Sequence, residues 1–79
     1  MRKNLTLYKT EYCPFCRHVL DYLSERDIHI TTKDTQTSSD SHKELIQIGG
    51  KSQVPCLVID GQALYESIDI INWFEEHYS

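Results

Sequence analysis

A chain of 79 residues, 39% hydrophobic and 25% charged, has the composition of one small globular domain, residues 1–79, and too much apolar content for a disordered chain. Its net charge of −4, without a basic cluster, removes the attraction that drives nucleic-acid binding, and apolar runs of only a few residues leave no expected membrane span or secretory leader. A cytoplasmic monomer, with neither nucleic acid nor membrane as partner, is the expectation, and three cysteines, an odd number, do not suit the disulfide framework of a secreted domain.

The first expected element is a strand over residues 4–9, NLTLYK, where Leu5 and Leu7 alternate with polar neighbours. The polar TEY follows, and then a helix from Pro14, because Cys16, Val19, Leu20 and Leu23 recur on one helical face. Proline suits the first helical position, where an N–H has no partner in any case. Cys13 then stands at or beside the N-cap and Cys16 in the first turn. DIHITTK, residues 27–33, alternates and is rich in β-branched residues, which predicts a second strand.

DTQTSSD reads as a loop, after which Ser41 and Glu44 have the spacing of a capping box for a short helix burying Leu45, Ile46 and Ile48 and stopped by Gly49 and Gly50. PCLVID, the Asp60-Gly61 pair and QALY predict a hairpin, since Asp-Gly tolerates the positive φ angles of a tight turn. Ser67 is the expected N-cap of a last helix, with Asp69 near its positive end and Ile70, Ile71, Phe74 and Tyr78 along one face. The order β-α-β-α-β-β-α makes a parallel pair with a right-handed crossover plus an antiparallel hairpin, hence an α/β fold with a four-stranded mixed sheet flanked by three helices. The CxxC pair falls at the C-terminal end of the first strand, the edge where open α/β sheets place their sites.

A cysteine at a helix N-terminus faces unpaired N–H groups and the positive end of the helix dipole, both of which favour a thiolate, the reactive form. Cys13 is therefore the expected nucleophile, and Cys16, one turn inside, the thiol that resolves a mixed disulfide on it. A closed zinc site needs four ligands, whereas only Cys56 and histidines scattered at 18, 29, 42 and 77 remain. No metal is expected.

LYKTEYCPFC, SQVPCLVIDG and ALYESIDIINWFEEHY, in that order between residues 7 and 78, resemble the glutaredoxin branch of the thioredoxin superfamily, of the dithiol C-P-F-C type, and the likeness covers essentially the whole chain. The resemblance implies a thioredoxin-like fold and a glutathione-dependent oxidoreductase that reduces protein disulfides and glutathione mixed disulfides. Cys13 and Cys16 would be catalytic, glutathione the reducing co-substrate, and disulfide-containing or glutathionylated proteins the partners. It also implies a cis bond between Val54 and Pro55, with the Val54 backbone pairing with glutathione like an added strand. Glu66 and Ser67 look like the acidic-serine pair that holds the γ-glutamyl end in glutathione transferases and similar glutaredoxins. Phe15 would wall the groove and Gln53 donate to the bound tripeptide.

One position departs from the pattern: where many glutaredoxins have a lysine three residues before the first cysteine, this chain has Thr10, with Lys9 beside it. Lys9 is kept as a candidate for the glutathione carboxylate, with Lys51 and Arg17 as substitutes. Cys56 is expected as a small buried side chain. Two rival readings remain at this point: an electron carrier fed by thioredoxin reductase, and a binding module holding a glutathione-ligated iron-sulfur cluster between two chains. A stand-alone transferase ranks below both.

Overall fold

The structure, a computed structural model, describes residues 4–78, without the Tyr78 side chain, so the expected place of Tyr78 on the last helix's apolar face lies outside the described residues. Its elements are β1 (Leu5–Lys9), α1 (Pro14–Glu25), β2 (Thr31–Asp34), α2 (Ser39–Gly49), β3 (Cys56–Ile59), β4 (Gln62–Tyr65) and α3 (Ser67–Tyr78). The expected order holds. The sheet runs β2-β1-β3-β4, with β1 parallel to β2 and antiparallel to β3, and β3 antiparallel to β4.

Strand alternation divides the side chains between two faces. Leu5 and Leu7 of β1 and Leu57 of β3 join Val19 and Leu23 of α1 and Ile70 and Phe74 of α3 in one core. Leu7, Val19, Leu57, Ile70 and Phe74 are fully buried there, each worth about 1.5–3 kcal/mol of transfer free energy. On the opposite face Tyr8, Cys56 and Val58 pack with Leu45 of α2. Strand registers align Lys33, Tyr8, Cys56 and Tyr65 into one row across all four strands.

Three boundaries differ from expectation, each for a local reason. The second strand starts at Thr31 rather than residue 27, because the end of α1 occupies the residues before it. Asp27 adopts φ 56, its N–H bonds to the Ser24 carbonyl and the Ile28 N–H to that of Leu23. This is a Schellman ending in which aspartate takes the place usual for glycine. Ile28 and Ile30 nevertheless pack against the core, so their alternation reports burial without ladder pairing.

The capping box at Ser41 and Glu44 is not formed. α2 begins earlier, with Ser38 as N-cap accepting from the Ser41 N–H, and Glu44 is drawn away by Tyr8 and Lys33. Of the three apolar residues expected inside, Leu45 is buried while Ile46 and Ile48 are exposed, since α2 covers the sheet with a single narrow stripe. The third change is at α3, which already includes Ser67. The first helical bond, from the Ile70 N–H, goes to the Glu66 carbonyl, so Glu66 and not Ser67 stands in the capping position. The hairpin turn forms at Asp60 and Gly61, both with positive φ.

Candidate functional site

Cys13 reaches the mouth of α1 through the short turn after β1. Its extended backbone and the proline that follows start the helix, and its carbonyl accepts the Arg17 N–H at 3.0 Å. The Cys13 thiol is half-exposed. Its Sγ takes no N–H from the helix but donates to the Val54 carbonyl oxygen at 3.8 Å, so the expected nucleophile and the expected docking edge are adjacent. Val54 and Pro55 are joined by a cis bond, as the resemblance implied. Pro55 is buried and Val54 partly so.

Cys16 lies one turn further along α1 and is fully buried. Burial, partly offset by hydrogen bonds from the Thr10 backbone and hydroxyl, pushes its thiol up to about 11. In the reduced protein this buried sulfur holds its proton and is closed to an outside disulfide, so Cys13 is the sulfur of the pair that a substrate can reach. Thr10, noted in the sequence only as a departure, thus faces the second sulfur. Its place ahead of the CxxC was visible, but that its donors turn toward Cys16 depends on how β1 meets α1.

Gln53 and Glu66 are brought together: the Gln53 Nε2 donates to Glu66 Oε1 at 3.0 Å, linking the loop before Pro55 to the entrance of α3. Glu66 has φ 74, a backbone conformation that non-glycine residues seldom adopt and that clusters at functional sites. Ser67, next to it, is buried. Phe15 is 65% exposed beside Cys13 and Tyr12, on its other side, 85%. Lys9 stands apart from this group. Its ammonium is 2.8 Å from Glu11 and 3.7 Å from Asp34, and the Glu11 hydrogen bond holds its pKa above the ordinary lysine value.

Sequence reasoning missed Tyr65 and Gly49. Tyr65 donates to the Lys51 carbonyl at 3.2 Å, and Gly49 gives its hydroxyl room, since a Cβ there would lie 1.9 Å from it. The glycine pair was legible as a helix stop, but only the fold shows that the first member serves a close approach. Cys56 is fully buried, as expected, and burial raises its thiol pKa. Among the described residues no group of three or more His, Cys, Asp and Glu is arranged to hold a metal ion, and no helix is long and apolar enough to cross a membrane.

Comparison with curated proteins returns no match. Among solved structures, glutathione transferase Omega 3C from Trametes versicolor superposes with a TM-score of 0.81 at 25% identity, over 99% of this chain and 35% of the transferase. A thioredoxin-like protein gives 0.76 at 19% identity, over 91% and 96%. A buckwheat glutaredoxin solved with glutathione gives 0.72 at 19% identity, over 95% and 71%. The chain therefore spans about a third of the transferase's length and carries a thioredoxin-like fold. The family profile described as glutathione S-transferase, N-terminal domain, matches residues 7–79, and the chain belongs to that family.

Proposed function

We propose that this protein is a glutathione-dependent thiol-disulfide oxidoreductase that works by the dithiol chemistry of glutaredoxins. One observation carries the reading: a half-exposed Cys13 thiol lies 3.8 Å from the Val54 carbonyl, with a buried Cys16 one turn behind it. In the reaction the Cys13 sulfur attacks one sulfur of a substrate disulfide, forms a mixed disulfide and releases the other sulfur as a thiolate that takes up a proton. For a glutathionylated protein, the protein thiol leaves and glutathione remains on Cys13. A second glutathione thiolate then attacks that adduct, regenerating Cys13 and releasing glutathione disulfide. In the dithiol route Cys16 gives up its proton and attacks the Cys13 sulfur, the bound thiol leaves as a thiolate that takes up a proton, and the Cys13–Cys16 disulfide is reopened by two glutathione molecules, released as glutathione disulfide.

Glutathione is a substrate here, recognised by its peptide groups and its ends. The Val54 backbone would pair with the extended tripeptide, while the Glu66 carboxylate and the N-terminus of α3 suit the ammonium and carboxylate of the γ-glutamyl end. Lys9, already engaged by Glu11 and Asp34, is the weaker candidate for the remaining carboxylate, which leaves Lys51 and Arg17 as its alternatives. Phe15 bounds the approach to Cys13.

Turnover of a glutathione mixed disulfide, coupled to glutathione reductase, tests the proposal. Cys13→Ser should lower the rate at least about a hundredfold, while Cys16→Ser should retain a large share of it. Full activity in the Cys13 variant would refute the mechanism. The family match also admits conjugation of glutathione to an electrophile. That reading would be preferred if the protein consumed an aryl halide with glutathione and left the mixed disulfide untouched.

A further inference from the structure

The segment that presents Val54 is a loop, residues 51–55, in neither helix nor strand. Side chains from the end of β4 reach it at two points. Tyr65 donates its hydroxyl to the Lys51 carbonyl at 3.2 Å, and the next residue, Glu66, accepts from Gln53 at 3.0 Å. The Lys51 ammonium lies 5.2 Å from the centre of the Tyr65 ring. Tyr65 is fixed in turn by register, since it pairs across the sheet with Cys56, the residue directly after Pro55.

Gly49 makes this arrangement possible. A Cβ at that position would stand 1.9 Å from the Tyr65 hydroxyl oxygen, 2.8 Å from Cζ and 3.1 Å from the Ala63 Cβ, so any larger residue pushes the tyrosine out of its seat. Gly49 closes α2, and a helix end with no side chain is ordinarily explained by backbone freedom. Here the φ of +79 belongs to Gly50. Gly49 is needed for space instead.

We propose that Tyr65 is a positioning residue for the candidate docking edge: its hydroxyl, seated in the notch at Gly49, latches the start of the 51–55 loop and thereby sets where the Val54 backbone stands relative to Cys13. The latch acts on the loop and not on the sulfur. Its removal should therefore weaken reaction with disulfides that have peptide groups to pair and spare those that have none. This rests on the proposed glutathione reading for its functional consequence, though not for the latch itself.

The test compares the full chain with its Tyr65→Phe and Gly49→Ala variants. Phenylalanine keeps the ring and deletes only the hydroxyl, and Gly49→Ala should give the same phenotype by a different route. Two measurements are made: backbone order parameters for residues 51–54, and the rates at which Cys13 reacts with oxidised glutathione and with dipyridyl disulfide, which has no peptide groups. Both variants should show lowered order parameters, with a rate toward oxidised glutathione reduced about fivefold and an unchanged rate toward dipyridyl disulfide. Unchanged order parameters, or a loop that loosens while the two rates keep their ratio, would overturn the proposal. A wild-type protein no more selective for oxidised glutathione than a free thiol would sink the glutathione reading alone. The latch would then stand or fall on the order parameters.

Discussion

The two faces of the sheet are built from different chemistry. On the side of α1 and α3 the central row is Thr32, Leu7, Leu57 and Leu64; its one polar member, Thr32, is exposed at the edge strand, and the leucines belong to the core formed with Val19, Ile70 and Phe74. On the side of α2 the matching row is Lys33, Tyr8, Cys56 and Tyr65. Its polar ends are satisfied at the rim: Tyr8 donates to Glu44 at 3.0 Å, Lys33 bonds the same Glu44 oxygen at 2.7 Å, and Tyr65 reaches Lys51. The first face supplies stability through area. The second costs more to assemble but ties β1, β2, β4, α2 and the site loop together through directional bonds.

Breaking the apolar face should have the largest effect. Phe74 is fully buried and edge-on to Trp73 with ring centroids 5.1 Å apart, so Phe74→Ala should cost about 3–5 kcal/mol, read by urea denaturation. A loss no larger than that of a rim substitution would mean the two faces share the load more evenly than their composition indicates.

Alkaline titration comes next. Unfolded cysteines release their protons near 9.0, whereas folded Cys16 holds its proton to about 11, so between these values the unfolded chain binds fewer protons and stability falls as pH rises. The expected loss across that window is about 2 kcal/mol, and Cys16→Ala should flatten the curve. Burial raises Cys56 in the same direction, so Cys56→Ala should remove a further part. A stability profile that is level from pH 9 to 11 would contradict the burial assigned to both sulfurs.

The smallest effects belong to the polar rim. Tyr8→Phe removes the bond to Glu44 and should cost about 1 kcal/mol. On the acid side, the Lys33 hydrogen bond, followed by that from Tyr8, holds the Glu44 carboxyl below its usual value. Its stabilisation is present above the unfolded value of 4.5 and lost as pH falls through the lower folded value. Glu44→Gln should therefore make stability less sensitive to acid, a difference visible in thermal midpoints measured from pH 5 to pH 3.

The same division of faces explains what could be read in advance. Period-2 and helical spacing report burial, so Val19, Leu23, Ile70 and Phe74 of the core, the Asp60-Gly61 hairpin and the proline start of α1 were legible residue by residue. The cis bond at Pro55 was legible only through resemblance, because X-Pro bonds are usually trans. Errors gathered on the α2 side and at helix ends. Glu44 fits a capping box locally but is claimed by Tyr8 and Lys33, 36 and 11 residues away, and no local pattern encodes that competition. Asp27 ends α1 in a conformation that sequence rules assign to glycine, and Ile28 spends its N–H on the helix rather than on a ladder. At the candidate site, the placement of Cys13 at the mouth of α1 and of Cys16 in its first turn was legible by spacing, whereas the contacts of Thr10, Gly49 and Tyr65 are tertiary.

Two sulfurs of one motif are proposed to have different jobs, and mass spectrometry of trapped adducts tests this most directly. Reduced Cys16→Ser protein mixed with oxidised glutathione should accumulate one glutathione per chain, mapped to Cys13, while the wild-type protein passes on to a Cys13–Cys16 disulfide with no adduct retained. An adduct mapped to Cys16 or Cys56, or no adduct in the Cys16→Ser variant, would contradict it.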